Sequence, residues 1–185
     1  MRLEKTKIEG LVIIHPDVFG DNRGWFTESY NQQKYFALGI DVTFIQDNHS
    51  FSKEIGTLRG LHFQTGESAQ SKLVRCVRGR LMDVCVDLRK DSPTFLQHEL
   101  IELSEENKLQ LFVPQGFAHG FVTLSEDVEI MYKVDAFYSK EHDSGICYND
   151  PQLNIDWQQV LPDVEFILSD KDKQLKTFKE LDLDF

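Results

Sequence analysis

Lys72-Leu73-Val74-Arg75-Cys76-Val77-Arg78-Gly79-Arg80-Leu81-Met82-Asp83-Val84-Cys85-Val86-Asp87-Leu88-Arg89 reads as two β-strands joined at Arg78-Gly79-Arg80. Successive side chains of a strand point to opposite faces. In the second strand, Met82, Val84, Val86 and Leu88 therefore share one face, and Asp83, Cys85 and Asp87 share the other. Downstream, Leu109 to Val113 and Phe117 to Leu124 form another pair around Pro114-Gln115-Gly116. Val128, Ile130, Tyr132, Val134, Ala136 and Tyr138 again share one parity, so the chain from Val42 to Tyr138 reads mainly as strands. Upstream, Phe19-Gly20-Asp21-Asn22-Arg23-Gly24 is a turn between Leu11-Val12-Ile13-Ile14 and Trp25-Phe26-Thr27-Glu28. Asn31 to Leu38 reads as a short helix stopped by Gly39. The tail from Ser169 to Leu181 is charged and helix-competent, suited to covering one end of the sheets. Many short strands with glycine turns predict an all-β sandwich or barrel.

The 185 residues fit one domain, taken as 1–185, with a full core. A hydrophobic fraction of 41% and a charged fraction of 28% are ordinary for a soluble globule. The net charge of −11 argues against nucleic-acid and membrane partners, both of which reward basic surfaces. It leaves room for a small anion, because Arg23, Arg59, Lys72, Arg75 and Arg78 can build a local positive pocket. The N-terminal residues are charged and lack an apolar signal core, and no apolar run is long enough to span a membrane. Cys76, Cys85 and Cys147 are odd in number and lack Cys-x-x-Cys spacing. A reduced, cytoplasmic protein is the expectation.

Two strings within the strand region carry histidine. They are Leu58-Arg59-Gly60-Leu61-His62-Phe63-Gln64 and Pro114-Gln115-Gly116-Phe117-Ala118-His119-Gly120-Phe121. Strand parity puts His62 and Gln64 on one face, with Arg59 on the other unless a bulge intervenes. It also groups His119 with Phe117 and Phe121, which predicts burial; burial of an unpaired imidazole would leave a neutral base. Each histidine taken alone fits a hydrogen-bonded core residue. Two in one pocket, beside glycines that admit a ligand closely, fit proton transfer or a metal.

Pro114, Gly116 and His119 resemble the second motif of the cupin superfamily. The first motif of its metal-binding members has His-x-His followed by Glu. Here it reads His62-Phe63-Gln64, with Lys72 near the place of the Glu and Glu67 as the remaining acid nearby. A divalent site needs several imidazole or carboxylate ligands, and a lysine there would repel the ion. The expectation is therefore no metal. A His base, a Lys cation and a Tyr suit proton abstraction next to a carbonyl, with the cation stabilising the enolate oxygen.

From about Ile8 to Asp172 the chain resembles the dTDP-4-dehydrorhamnose 3,5-epimerase family. Besides the two histidine strings, the resemblance rests on Gln46-Asp47-Asn48-His49-Ser50, Lys72-Leu73-Val74-Arg75-Cys76, Asp83-Val84-Cys85-Val86-Asp87, Asn149-Asp150-Pro151 and Ser169-Asp170-Lys171-Asp172. It implies a cupin-like jelly-roll of two antiparallel sheets with short peripheral helices, homodimeric and without a cofactor. It implies inversion of C3 and C5 of a dTDP-linked 4-keto-6-deoxyhexose. On the same resemblance His62 matches the base, Asp172 its carboxylate partner, Tyr132 the acid on the other face, and Lys72 the residue near the C4 oxygen. Arg23, Glu28, Gln46, Asn48 and Arg59 match nucleotide or pyrophosphate contacts. Tyr138 matches the residue stacked on thymine, and His119 a pocket histidine. Asp143 or Glu141 matches a loop acid, and Lys171 lies beside Asp172 in the substrate-binding tail. A mono-epimerase, a 3,4-ketoisomerase, a metal-dependent cupin enzyme and a sugar-nucleotide binding module are the competing readings.

Overall fold

A computed structural model describes residues 1–181. Strands β1 (Arg2–Lys5) and β2 (Val12–His15) open the chain, and β3 (Val18–Asp21) and β4 (Gly24–Thr27) form a hairpin. Helix α1 (Gln32–Ala37) starts at Asn31, whose side chain accepts the backbone N–H groups of Gln33 and Lys34. Gly39, at φ 87°, turns the chain out of the helix as expected. Then follow β5 (Gln46–Ser52), β6 (Leu58–Gln64), β7 (Lys72–Arg78), β8 (Arg80–Asp87), β9 (His98–Ser104) and β10 (Gln110–Val113). Strands β11 (Phe117–Thr123), β12 (Val128–Val134) and β13 (Asp143–Gly145) precede helix α2 (Trp157–Val160).

The strands form a six-stranded sheet, in the order β1-β2-β10-β7-β12-β5, and a five-stranded sheet, β13-β6-β11-β8-β9. Pairing within both is antiparallel. Val74, Cys76, Leu111, Val113 and Ile130 from the first sheet pack against Leu81, Cys85, Leu103, Phe117 and Phe121 from the second. This is the expected jelly-roll, with short helices at its periphery. The alternation along β8 holds: Val84, Val86 and Leu88 pack outward under the C-terminal segment, while Cys85 faces the inter-sheet core.

Two local expectations need correction. Strands β10 and β11 are not paired with each other; they lie in opposite sheets. Gly116, at φ 85°, carries the chain across the sandwich, and Gly79, at φ 71°, does the same between β7 and β8. A hairpin and a sheet-to-sheet corner both need one buried face per strand, so the apolar pattern is the same for either. The tail forms no α-helix; it makes single 3₁₀ turns at Asp172–Gln174 and Phe178–Glu180. It does cover the sheets: Leu168, Phe178 and Leu181 pack with Trp157 on the outer face of the five-stranded sheet. The buried Asp150 accepts the Phe178 backbone N–H and so anchors the tail. The expected single domain over 1–185 extends to positions 182–185, which lie outside the described residues. No helix among the described residues is long and apolar enough to cross a membrane.

Asp87 closes one end of β8. Its buried carboxylate accepts from Arg89, Ser92 and Thr94. Burial alone would raise its pKa, but these bonds win and hold it at about 2, against an ordinary 3.8. A depressed carboxylate adds stability above its unfolded pKa and loses it as pH falls through the folded value. Asp87→Asn is expected to cost about 2 kcal/mol at pH 7. Urea unfolding should show that gap closing as pH falls from about 4 towards about 2.

Candidate active site

His62 and His119 are direct cross-strand partners on β6 and β11. Opposed residues on neighbouring strands project to the same face, with Cβ atoms about 5 Å apart. The pairing then slips: Arg59, three residues before His62, faces Phe121, only two after His119. The extra residue on β6 is a bulge, and it turns Arg59 to the same side as His62. This is the exception to strand parity that the sequence left open. The bulge depends on close backbone contact. A Cβ at Gly60, whose φ is 125°, would lie 2.6 Å from Gly120 Cα, and a Cβ at Gly120 would lie 2.5 Å from Arg59 O.

The facing wall comes from the six-stranded sheet. Tyr132 pairs with Asn48 across β12 and β5, and Val134 pairs with Gln46, which aligns Gln46 and Asn48 on one side. Their side chains are joined by a 2.9 Å hydrogen bond. Val134 also faces Lys72 on β7. Between the two walls lies a pocket of about 440 Å³. It is lined by His62, Tyr132, Asp172, Lys72, Arg59, Gln46, Asn48, His119, Tyr138, Asp143 and Lys171 among others. Arg23 and Glu28 are not part of it. Arg23 sits in the β3–β4 turn, paired with Asp21, and Glu28 is paired with Lys34. The loop-acid alternatives separate here: Asp143 lines the pocket while Glu141 is exposed. The carboxylate that meets His62 is Asp172, while Asp170 on the other side of Lys171 is exposed. Glu67 is exposed and lies outside the pocket.

Both histidines are paired with carboxylates, so the unpaired imidazole considered from the sequence does not occur. His62 Nε2 lies 2.6 Å from Asp172 Oδ1. Ser169 Oγ donates to the other carboxylate oxygen at 2.9 Å and accepts the Asp172 N–H at 3.1 Å. Burial pushes Asp172 up, but the His62 bond and charge, with Ser169 and Lys171, hold it below its ordinary value. A carboxylate on Nε2 fixes the tautomer and leaves Nδ1 to accept a proton. His119 Nε2 lies 2.9 Å from Asp83 Oδ2, and Asp83 is fully buried. The sequence reading gave Asp83 and Ser169 no role. The signal for Asp83 is a carboxylate alternating with Cys85 on a strand buried on both faces.

Lys72 Nζ is 3.5 Å from the His62 carbonyl oxygen. Burial pulls its pKa below the usual lysine range, which Cys85, Asp83 and Asp143 partly offset. Burial also raises the Tyr132 phenol, against a small opposing pull from Arg59. Asp83, Cys85 and His119 bring donor atoms within 4.8 Å of one another. The two Asp83 oxygens already serve His119 and Cys85, and the Lys72 cation acts on the same group. The Lys72 cation, acting on Asp83 and Cys85, would repel a divalent ion placed among these donors. At the mouth, Asp143 accepts from Tyr138 at 3.1 Å and from Lys171 at 2.5 Å.

A family model described as dTDP-4-dehydrorhamnose 3,5-epimerase matches residues 5–180. Curated proteins of that name are similar throughout. The one from Salmonella typhimurium is 56% identical over 154 residues, 83% of this chain and 84% of that protein. The one from Escherichia coli is 50% identical over 182 residues, 98% of this chain and 96% of that protein. The solved dTDP-6-deoxy-D-glucose-3,5-epimerase of Legionella pneumophila, in complex with dTDP-4-keto-L-rhamnose, superposes with a TM-score of 0.92. It is 43% identical, with 98% of this chain and 94% of that chain covered.

Proposed function

The chain belongs to the dTDP-4-dehydrorhamnose 3,5-epimerase family, and from that premise we infer how its pocket works. It is an isomerase that inverts C3 and C5 of dTDP-4-dehydro-6-deoxy-D-glucose, giving dTDP-4-dehydro-L-rhamnose. Both carbons adjoin the C4 ketone, which acidifies their protons. One observation carries the mechanism: His62 and Tyr132 come from facing sheets and line opposite walls of one pocket. Inversion needs removal of a proton from one face and return from the other.

His62 is the base, and Asp172 stabilises the imidazolium that forms. The Lys72 ammonium balances the negative charge that develops on the C4 oxygen. Tyr132 supplies the proton from the opposite face. Each half-reaction moves one proton onto His62 and one from Tyr132, and solvent restores both groups. Arg59, Gln46 and Asn48 take the nucleotide and pyrophosphate side, where an arginine fork suits phosphate oxygens. Tyr138 stacks on thymine. His119, held by Asp83, completes the sugar pocket.

The working form is a homodimer of one-domain subunits in the cytoplasm. The β3–β4 hairpin supports the dimer, since it leaves Phe19, Trp25 and Phe26 more than half exposed. Arg23 and Glu28 lie on or beside this hairpin, away from their own pocket. They reach a nucleotide when a second copy brings the hairpin to the pocket mouth. The three unpaired cysteines agree with a reducing compartment.

Proton NMR of dTDP-4-dehydro-6-deoxy-D-glucose with the protein in D₂O tests this reading. Deuterium should enter at C3 and C5 with inversion at both, without added metal and undiminished by EDTA. Exchange at C3 alone would make the protein a mono-epimerase, and no exchange would make it a binding module. Loss of exchange with EDTA would point to a metal-dependent enzyme.

A further inference from the structure

Gln64 occupies the place where a metal-binding cupin has its second histidine, and the proposed mechanism gives it no task. It is 95% buried at the end of β6, paired with Asp143 of β13. Its amide makes three hydrogen bonds to backbone. Nε2 donates to the Ser68 carbonyl at 2.7 Å and to the Phe137 carbonyl at 3.1 Å, and Oε1 accepts the Ser139 N–H at 2.7 Å. Phe137 and Ser139 are the two neighbours of Tyr138. The amide therefore grips the chain immediately before and after that residue, whose side chain is otherwise exposed. Gln70 adds a parallel bond to the Ala136 carbonyl at 2.7 Å. A loop held only by solvent would sample many positions, and ordering a stacking platform on binding would cost affinity.

We infer that Gln64 is a positioning residue for the nucleotide base: its amide holds the Tyr138 loop in the binding position before the ligand arrives. This rests on the assignment of Tyr138 as the thymine platform. Gln64 acts through Tyr138, so its effect belongs to nucleotide binding and leaves proton transfer alone.

The test is a double-mutant cycle on the full-length protein, with dTDP as the probe in titration calorimetry. Gln64→Met fills the space but drops all three bonds. It should weaken dTDP binding about tenfold, the order expected when a stacking platform is released. Tyr138→Ala should weaken it at least as much. The double variant should bind as Tyr138→Ala does, and Gln64→Met should keep its exchange rate at saturating substrate while KM rises. Additive losses would overturn the inference, since they mean that Gln64 touches the ligand itself. So would unchanged affinity in Gln64→Met. If Tyr138→Ala alone binds dTDP normally, the platform assignment fails and the inference falls with it. Should Gln64→Met not fold, Gln64→Asn runs the same cycle, because it keeps the amide but shortens its reach.

Discussion

His62→Ala is expected to lower deuterium exchange at both C3 and C5 by about 10²–10⁴-fold, the range for losing a general base. The loss should lie in kcat, because the nucleotide is held by other residues. The side chain of His62 is 31% exposed, so its removal opens no sealed core, but it leaves the buried Asp172 carboxylate without its imidazole partner. A modest drop in thermal melting is expected, and exchange is compared at a temperature where both proteins are folded. Asp172→Asn tests the same unit from the other side. It keeps the shape at the tail but can present an amide N–H to Nε2, which selects the wrong tautomer. Its exchange rate should fall towards that of His62→Ala, and the double variant should fall no further, because the two act as one unit. The pH dependence has a definite sign. Asp172 titrates below its ordinary value, so it stays charged through neutrality and mild acid. Its share of activity and of stability is therefore present throughout that range and is lost only as pH falls below the ordinary carboxylate value and through the depressed one. Normal exchange at both carbons in His62→Ala would sink the assignment.

The histidine pair shows how far the sequence could be read. Parity grouped His62 with Gln64, and His119 with Phe117 and Phe121; that the two histidines meet is set by the β6–β11 register, which alternation within one strand does not fix. Arg59 was not legible in that way. Its direction depends on an extra residue in β6, and that residue fits only because Gly60 and Gly120 touch. The partner of His119 was hidden because strand pairing, not sequence distance, brings Asp83 to it: Phe121 pairs with Asp83 and His119 with Cys85. For β10 and β11 the pattern fitted a hairpin and a corner equally well. Arg23 and Glu28 carry a different lesson. Motif matching gave them a nucleotide role, yet within one chain they do not line the pocket. The nucleotide role proposed for them rests on the proposed second subunit, which no intrachain periodicity can encode.

Tyr132→Phe should separate proton removal from inversion. The ring of Tyr132 packs against the inter-sheet core, and phenylalanine keeps that contact while deleting the hydroxyl. His62 and Lys72 remain, so the enolate still forms. His62 then returns a proton to the face it came from, after exchange with solvent through its open edge. NMR in D₂O should show deuterium entering the starting sugar with retained configuration, while epimerised product falls by about 10²–10⁴-fold. Burial holds the Tyr132 phenol above its ordinary value of 10, so the acid form persists through neutral and mildly alkaline solution. The wild-type enzyme should therefore lose no inversion through Tyr132 until pH passes about 10. Equal losses of exchange and inversion in Tyr132→Phe would mean that the hydroxyl stabilises the enolate instead of reprotonating it. Undiminished inversion would pass the acid role to another group on the six-stranded wall. Retained exchange with lost inversion is the outcome that only an acid facing His62 across the pocket produces.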